Sequence, residues 1–466
     1  MSEVVSKPGA ESAAPATAAA SGRLPFLTLF AYSVPTTGIG FMFFMAMLYL
    51  MMFATDVLLI APVAISLILG ASRILDAITD PLAGYLSDRT RSRFGRRRPW
   101  LLFSSIPLAI VFVMMWSPPA ALTGNALIAW MAVAIIGFYA VITLVNVPHI
   151  SWGAELSPDY HDRTRVFGMR LLLLNLGAFT AVGCLLYITS SSDPRGAVPM
   201  LMITVGAVTA LATIGSALYL KEKREFQQRG PERLVGAYTD VVKNPHARLL
   251  LIVFFIESLG AATIGVLTPY MAAYVIGDIS FPLVVMTYMI GMTVSVPLWA
   301  PLGRRFGKKR LWLCSMLGTA FGFGGFFLLG AGDVVQTYVL AAFLGVAAGC
   351  GNVVAPSVQS DIVDFDEHET GERKEGGYFA AFNFVQKSAA GVTIIITGFV
   401  LQLSGYVPNV EQTEGVQLAI KSLYALFPLS CYLIGSLLFL RFSFNEKEHA
   451  LVRDDLEARR GRVGTD

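Results

Sequence analysis

Charge is what this sequence has least of. Only 14% of its 466 residues are Asp, Glu, Lys or Arg, while 55% are hydrophobic and the mean hydropathy is +0.62. An ordinary soluble domain carries roughly 25% charge. A water-soluble enzyme of this length would need far more polar surface, and the apolar fraction is too high for a disordered chain. Cysteine is nearly absent as well. The four residues Cys184, Cys314, Cys350 and Cys431 lie in apolar runs without CxxC spacing, which argues against a zinc site or a disulfide framework. Five histidines are too scattered for a metal cluster. No P-loop, GxSxG or HExxH motif occurs, so neither ATP hydrolysis nor a familiar hydrolase chemistry is expected. The net charge of +3 gives no reason to expect nucleic acid as a partner.

What is present is a series of long apolar runs. A membrane helix needs ~20 mostly apolar residues. Twelve such stretches occur, with approximate cores at 27–53, 61–86, 101–117, 126–152, 167–190, 198–220, 248–276, 280–301, 312–331, 337–361, 377–404 and 418–441. Residues 1–24, rich in Ala, Ser and Pro, read as a disordered tail and not as a secretory signal. Loops after spans 2, 4, 6, 8 and 10 hold 22 Lys and Arg, counting Arg248 at the mouth of span 7, and loops after odd spans hold one, Arg195. Basic loops stay on the cytoplasmic side, so both termini are expected there. The block Arg93-Phe-Gly-Arg-Arg-Arg-Pro-Trp100 after span 2 returns as Arg305-Phe-Gly-Lys-Lys-Arg-Leu-Trp312 after span 8. The expected fold is therefore an all-α membrane protein of twelve helices in two six-helix halves, the major facilitator plan. Its expected divisions are a cytoplasmic tail 1–24, an N-terminal half 25–220, a cytoplasmic linker 221–247, a C-terminal half 248–442 and a cytoplasmic tail 443–466.

A few ionisable groups fall inside spans, where each costs at least ~2.5–3.5 kcal/mol at a helix centre. Span 2 carries Arg73, Asp76 and Asp80 at i, i+3 and i+7, on one helix face, with Thr79 beside them. Two carboxylates one turn apart in a low dielectric call for a cation or a proton. A buried Arg–Asp structural pair is the alternative, but Arg73 can neutralise only one of the two. In span 4, Thr143 and Asn146 share a face near Pro148. They suit a hard cation, a sugar hydroxyl or plain interhelical packing. Lys387, deep in span 11, needs a carboxylate, and the span 2 pair is the natural one. Glu257 in span 7 is an isolated acid that either contacts substrate or bonds a neighbouring helix in its neutral form. The acidic run from Asp361 and Asp364 to Glu369, followed by Arg373 and Lys374, reads as a salt-bridged cytoplasmic gate and not as a metal centre.

Several polar blocks resemble a known family. They are Ala71-Ser-Arg73-Ile-Leu-Asp76-Ala-Ile-Thr-Asp80-Pro81, then Ser87-Asp88-Arg89 through Gly95, Asn146-Val-Pro148 with Gly153-Ala-Glu155, Asp162-Arg163-Thr-Arg165, Asp361-Ile-Val-Asp364 with Thr370 through Gly376, and Lys387. In this order, over about residues 27–442, they resemble the glycoside–pentoside–hexuronide:cation symporters, the family of melibiose permease. The resemblance implies that Asp76, Asp80 and Thr143 bind the coupling cation, that Arg170 matches the span 5 arginine, and that Lys387 sits near the cation. Two departures stand out. Asn146 replaces a sugar-contacting aspartate, and span 1 has Thr37-Gly-Ile-Gly40 where the melibiose transporter uses another. A galactoside substrate is therefore not implied.

The expected function is cation-coupled symport of a sugar or glycoside by alternating access, without cofactor or catalysis, by a monomer in a bacterial inner membrane. The alternative cargo is a lysophospholipid or other amphiphile. The coupling ion is Na⁺ or H⁺, with Na⁺ a candidate at Asp76 and Asp80 because Thr143, with Thr79, adds oxygen. Asn146, His149, Trp152, Arg170 and Glu257 are substrate-side candidates, Arg73 and Lys387 form a charge network, and Asp88, Arg89, Asp361, Asp364 and Arg373 form the cytoplasmic gate. A channel would need a continuous polar lining, and a membrane enzyme would need a nucleophile–base pair or a metal triad. The sequence offers neither.

Overall fold

A computed structural model describes residues 23–157, 159–191, 193–222, 241–371, 374–444 and 446–463. The described residues are almost wholly helical. The N-terminal half contains α1 (Phe26–Leu48), α2 (Pro62–Arg89), α3 (Arg98–Trp116), α4 (Gly124–Glu155), α5 (Tyr160–Ser190) and α6 (Pro194–Tyr219). The C-terminal half contains α7 (Pro245–Ile276), α8 (Phe281–Phe306), α9 (Lys308–Phe326), α10 (Val334–Thr370), α11 (Glu375–Leu403) and α12 (Glu414–Leu440). Eleven of these are long and apolar enough to cross a bilayer. The twelfth, α9, is of spanning length but opens on Lys308, Lys309 and Arg310, and its second half is rich in glycine. A polar helix, α13 (Glu446–Val463), follows the last span. The expected disordered tail falls on residues 1–22, and most of the expected linker on 223–240, both outside the described residues.

The repeat seen in sequence has a backbone counterpart. Gly95 and Gly307, the glycines of the two Arg-Phe-Gly blocks, both adopt positive φ, +106° and +86°. Only glycine enters that region without steric cost, and each places a basic helix start at the same end of the molecule. The opposite ends of α1 and α7, the first helices of each half, both finish in a π-turn, Phe53–Val57 and Ala272–Ile276.

Two apolar cores divide the molecule unevenly. One runs through the N-terminal half and continues into the C-terminal half only away from the basic loops, joining Met45 and Tyr49 to Tyr270, Phe281, Leu401 and Tyr424. The other lies within the C-terminal half at its basic end, around Trp312, Val358, Phe382 and Phe439. The halves thus share a core at the far end and keep separate cores at the basic end. Helix α2 lies along α11 across the seam. Their approach is so close that a Cβ on Gly398 would sit 1.9 Å from Ser66 Oγ.

Candidate functional site

Helix α2 presents Asp76 and Asp80 one turn apart, as the spacing requires, toward α4 and α11. Asp76 is 3% exposed and Asp80 lies more open. The Thr143 hydroxyl stands 2.5 Å from Asp76 Oδ1 and 3.2 Å from Asp80 Oδ1. From the other half, Lys387 Nζ reaches Asp76 Oδ2 at 2.7 Å and Asp80 Oδ2 at 2.6 Å. An ammonium has three donors and no acceptor, so one lysine serves both carboxylates. With all three groups ionised the trio carries one net negative charge, held within a bilayer-spanning segment.

The Arg73–Asp76 pairing that the spacing allows gives way to another arrangement. The Arg73 guanidinium lies between the Phe43 and Tyr139 rings, 4.6 and 4.7 Å from their centroids, a cation–π sandwich in which Nε has no hydrogen-bond partner. Thr79 turns its hydroxyl back to the Asp76 carbonyl at 3.3 Å. It therefore contributes less to the carboxylate pair than its position suggested.

The substrate-side candidates separate. Asn146 Oδ1 accepts from Arg170 Nη2 at 2.9 Å, so these two residues bind each other. His149 is fully buried, stacked on Tyr32 with ring centroids 4.3 Å apart and its Nε2 2.8 Å from the Tyr32 carbonyl. Trp152 is 1% exposed within the N-terminal core. These two are packed among their own helices and line neither cavity described below. Glu257 alone of the five does. It opens on a cavity of about 440 Å³ in the C-terminal half, with Trp312, Asn352, Gln359, Asn383 and Gln386. A second cavity, about 150 Å³, lies between the halves and is lined by Met47, Leu69, Arg73, Tyr139, Gly265 and Ile394. Ala261, Ile264 and Tyr288 line both, so the two adjoin.

At the basic end the gate candidates form two clusters. Arg96 meets Glu155 at 2.6 Å and Asp88 at 3.8 Å, and Arg97 pairs with Asp88 and with Glu155 at 3.3 Å. Glu222 accepts from the backbone N–H of Arg96, Arg97 and Arg98 at 2.7, 2.8 and 2.6 Å, capping the start of α3. Arg89 does not join; its guanidinium lies 4.2 Å from the Tyr85 ring centroid. In the other half Lys308 holds Asp361 at 2.7 Å, and His449 of α13 stands 3.1 Å from Asp364. Arg373 lies outside the described residues. These pairs each stay inside one half, so Asp88, Asp361 and Asp364 brace the ends of their own bundles.

Besides the Lys387 bridge, further contacts cross the seam at the far end, and the sequence did not announce them. Asp56, in the π-turn after α1, accepts from Tyr406 at 2.6 Å, from Thr55 at 2.5 Å and from Tyr274. Asn409 Nδ2 donates to the Asp56 carbonyl at 2.7 Å, and the Thr55 and Tyr270 hydroxyls are 2.8 Å apart. The available signal was an acid immediately after the first apolar run, but its tyrosine partners lie more than two hundred residues away.

Comparisons with known proteins agree with this architecture. The MFS/sugar transport protein family matches residues 31–446. The glucuronide carrier protein homolog of Escherichia coli (strain K12) is 25% identical, over 94% of this chain and 97% of its own length. The sodium-dependent lysophosphatidylcholine symporter 1 of Gallus gallus is 24% identical, over 89% and 84% respectively. Among solved structures, a D-xylose-proton symporter aligns over 91% of this chain and 99% of its own with a TM-score of 0.67 and 14% identity, a likeness of fold. With twelve helices in two repeated halves and a family match across nearly the whole length, the chain belongs to the MFS/sugar transport proteins, a multi-pass membrane family.

Proposed function

We propose that this protein is a secondary active transporter that couples movement of a sugar or glycoside to one Na⁺ or H⁺. One observation carries the reading: Asp76, Asp80 and Lys387 form a trio with a single excess negative charge, and its members come from opposite halves. One monovalent cation neutralises that excess. An arriving cation competes with the Lys387 ammonium for the same oxygens, so its binding changes how α2 and α11 hold each other. That contact is what must alter as two halves rock about a midplane site. The coupling is reciprocal: the cation raises substrate affinity by the factor by which substrate raises cation affinity. Thr143 supplies a further oxygen for Na⁺, whereas a proton needs none.

The positive-inside rule makes the basic end cytoplasmic, with both termini there. The seam is sealed at the far end, so the arrangement described is the inward-facing one. A bacterial inner membrane is the natural setting. The test is Asp80→Asn in proteoliposomes. Uptake should lose its stimulation by an imposed Na⁺ or pH gradient while expression and folding persist. Wild-type rates with unchanged cation dependence would overturn the assignment. Thr143→Val then separates the ions, since it should weaken Na⁺ stimulation and spare H⁺ stimulation. The named substrate of the Gallus gallus relative makes a lysophospholipid the second reading; free sugars should compete with uptake in the first case and not in the second.

A further inference from the structure

In the N-terminal half the substrate-side polar candidates are partly taken up by the Asn146–Arg170 bond and the His149–Tyr32 stack, and none of them lines either cavity. The C-terminal half presents its polar groups to open space. Asn352, Asn383 and Gln386 are exposed to an open cavity at positions inside membrane-spanning helices, and Gln359 lies buried at its wall. Asn383 and Gln386 make no side-chain hydrogen bond to any described residue, and Asn352 has only the Met292 sulfur, at 3.1 Å. Uncommitted amides at membrane depth are costly. The cavity, about 440 Å³, falls within the ~300–1,000 Å³ typical of small-molecule sites.

We infer that this cavity is the substrate site and that it selects a neutral polyhydroxylated molecule, a sugar or glycoside bearing neither carboxylate nor phosphate. Each primary amide offers two donors and an acceptor carbonyl, the complement of vicinal hydroxyls that both donate and accept. Glu257 accepts from a hydroxyl. Trp312, Phe382 and Tyr432 present flat apolar surfaces to the C–H faces of a pyranose ring. The decisive feature is charge. Among the described residues that line the cavity there is no Lys, Arg or His, and Glu257 is the one ionisable carboxyl. A uronate or phosphate placed there would meet a carboxyl and no compensating cation. The two cations nearby are both engaged: Lys387 on Asp76 and Asp80, and Arg73, which lines the adjoining smaller cavity, against the Phe43 and Tyr139 rings.

The same geometry ties the cavity to the ion. Gln386 lines it, and the next residue, Lys387, bridges the carboxylates; Asn383 lies one turn before Lys387 on α11. Substrate drawn onto Asn383 and Gln386 and a cation displacing Lys387 therefore act on the same turn of one helix.

The inference rests on the transport reading, and the experiment keeps the two apart. Purified full-length protein is titrated with paired 4-nitrophenyl pyranosides: the glucoside, galactoside and xyloside, both anomers, against the glucuronide and galacturonide, with lysophosphatidylcholine as a third class. Binding is followed by calorimetry with and without Na⁺. At least one neutral glycoside should bind, with its uronate counterpart weaker by about tenfold or more. Glu257→Gln, Asn383→Ala and Gln386→Ala should each weaken that binding several-fold, the last two at exposed positions where folding is not at stake. Failure of every neutral glycoside, equal or tighter binding of a uronate or of lysophosphatidylcholine, or unchanged affinity in all three variants overturns the inference. If the variants weaken binding but neither Na⁺ nor pH alters it, the cavity stands and the coupling assignment fails. If Asp80→Asn removes the cation response while the cavity variants bind normally, coupling stands and the cavity assignment fails.

Discussion

The two ends of the seam between the halves are built differently. At the far end the halves share one apolar core, α2 and α11 touch through Gly70, Gly391 and Gly398, and Asp56 draws hydroxyls from the opposite half. At the basic end the charges are far more numerous, yet the pairs of Asp88, Glu155, Asp361 and Asp364 hold each bundle to itself. Density of ion pairs is therefore a poor guide to where two domains are joined. The Arg96 and Arg97 pairs are largely buried, yet they tie helices of one bundle to each other and add nothing across the seam. Close glycine packing and a buried carboxylate with aromatic hydroxyls join surfaces that must exclude water. The far end carries the seal, and the basic-end pairs named here brace each bundle separately.

That contrast can be broken from the far side. A spin-label pair at Leu59→Cys and Val407→Cys, both exposed and on opposite halves, reads the separation there. The largest effect is expected from Gly398→Leu. Its side chain would enter the space of Ser66 Oγ and the Pro62 carbonyl. Overpacking of this kind costs about 1–3 kcal/mol, so the population open at the far end should rise roughly 5- to 150-fold, with transport slowed accordingly. An unchanged distance distribution would mean that the glycine contact does not hold the seam. A shift toward the lower end of that range is expected from Asp56→Ala, because the freed Tyr274 and Tyr406 hydroxyls can turn to water once the seam opens. The same label pair should show a longer-distance component, and the basic-end pair Asp88→Ala should leave it unaltered.

The smallest effect is that of pH. Asp56 lies beyond the end of α1, and burial pushes its carboxyl above the ordinary carboxylate range, against the opposing pull of hydrogen bonds from Thr55, Tyr274 and Tyr406. The closed seam therefore holds that proton more tightly than an open one exposed to water. Closure is favoured fully below the ordinary carboxylate value and loses this contribution as pH rises through the raised one. The label distance should lengthen modestly over that interval in the parent and stay flat in Asp56→Ala. A pH response that survives the substitution would assign the titration to another group.

Much of the fold was legible because membrane helices are specified locally. Apolar runs, the basic loops and the doubled Arg-Phe-Gly block are all readable within short windows. The α9 segment, which opens on three cations, was found from the apolar residues beyond them. Asp76, Asp80 and Thr143 were legible for a similar reason: a charge inside a span is conspicuous, and one-turn spacing fixes a shared face. Lys387 as their partner was an inference from cost, since a buried ammonium must find an anion. Which neighbour takes each of the other polar side chains was not legible in the sequence. Arg73 went to two aromatic rings, Asn146 to Arg170, His149 to Tyr32 and Arg89 to Tyr85. Each contact takes up part of a polar group's bonding capacity, and local spacing does not reveal that.

By itself the sequence determined where the long apolar helices lie, which ends carry the basic loops, and which groups are too costly to leave in a bilayer without a purpose. Those properties follow from composition and from periodicities of a few residues. The tertiary structure alone decided that the one Lys387 ammonium reaches both carboxylates, that Asp56 seals the far end, and that the open polar cavity lies around Glu257 rather than Asn146. Those outcomes depend on which helix faces meet, and in a bundle that choice is made by packing between segments far apart in the chain.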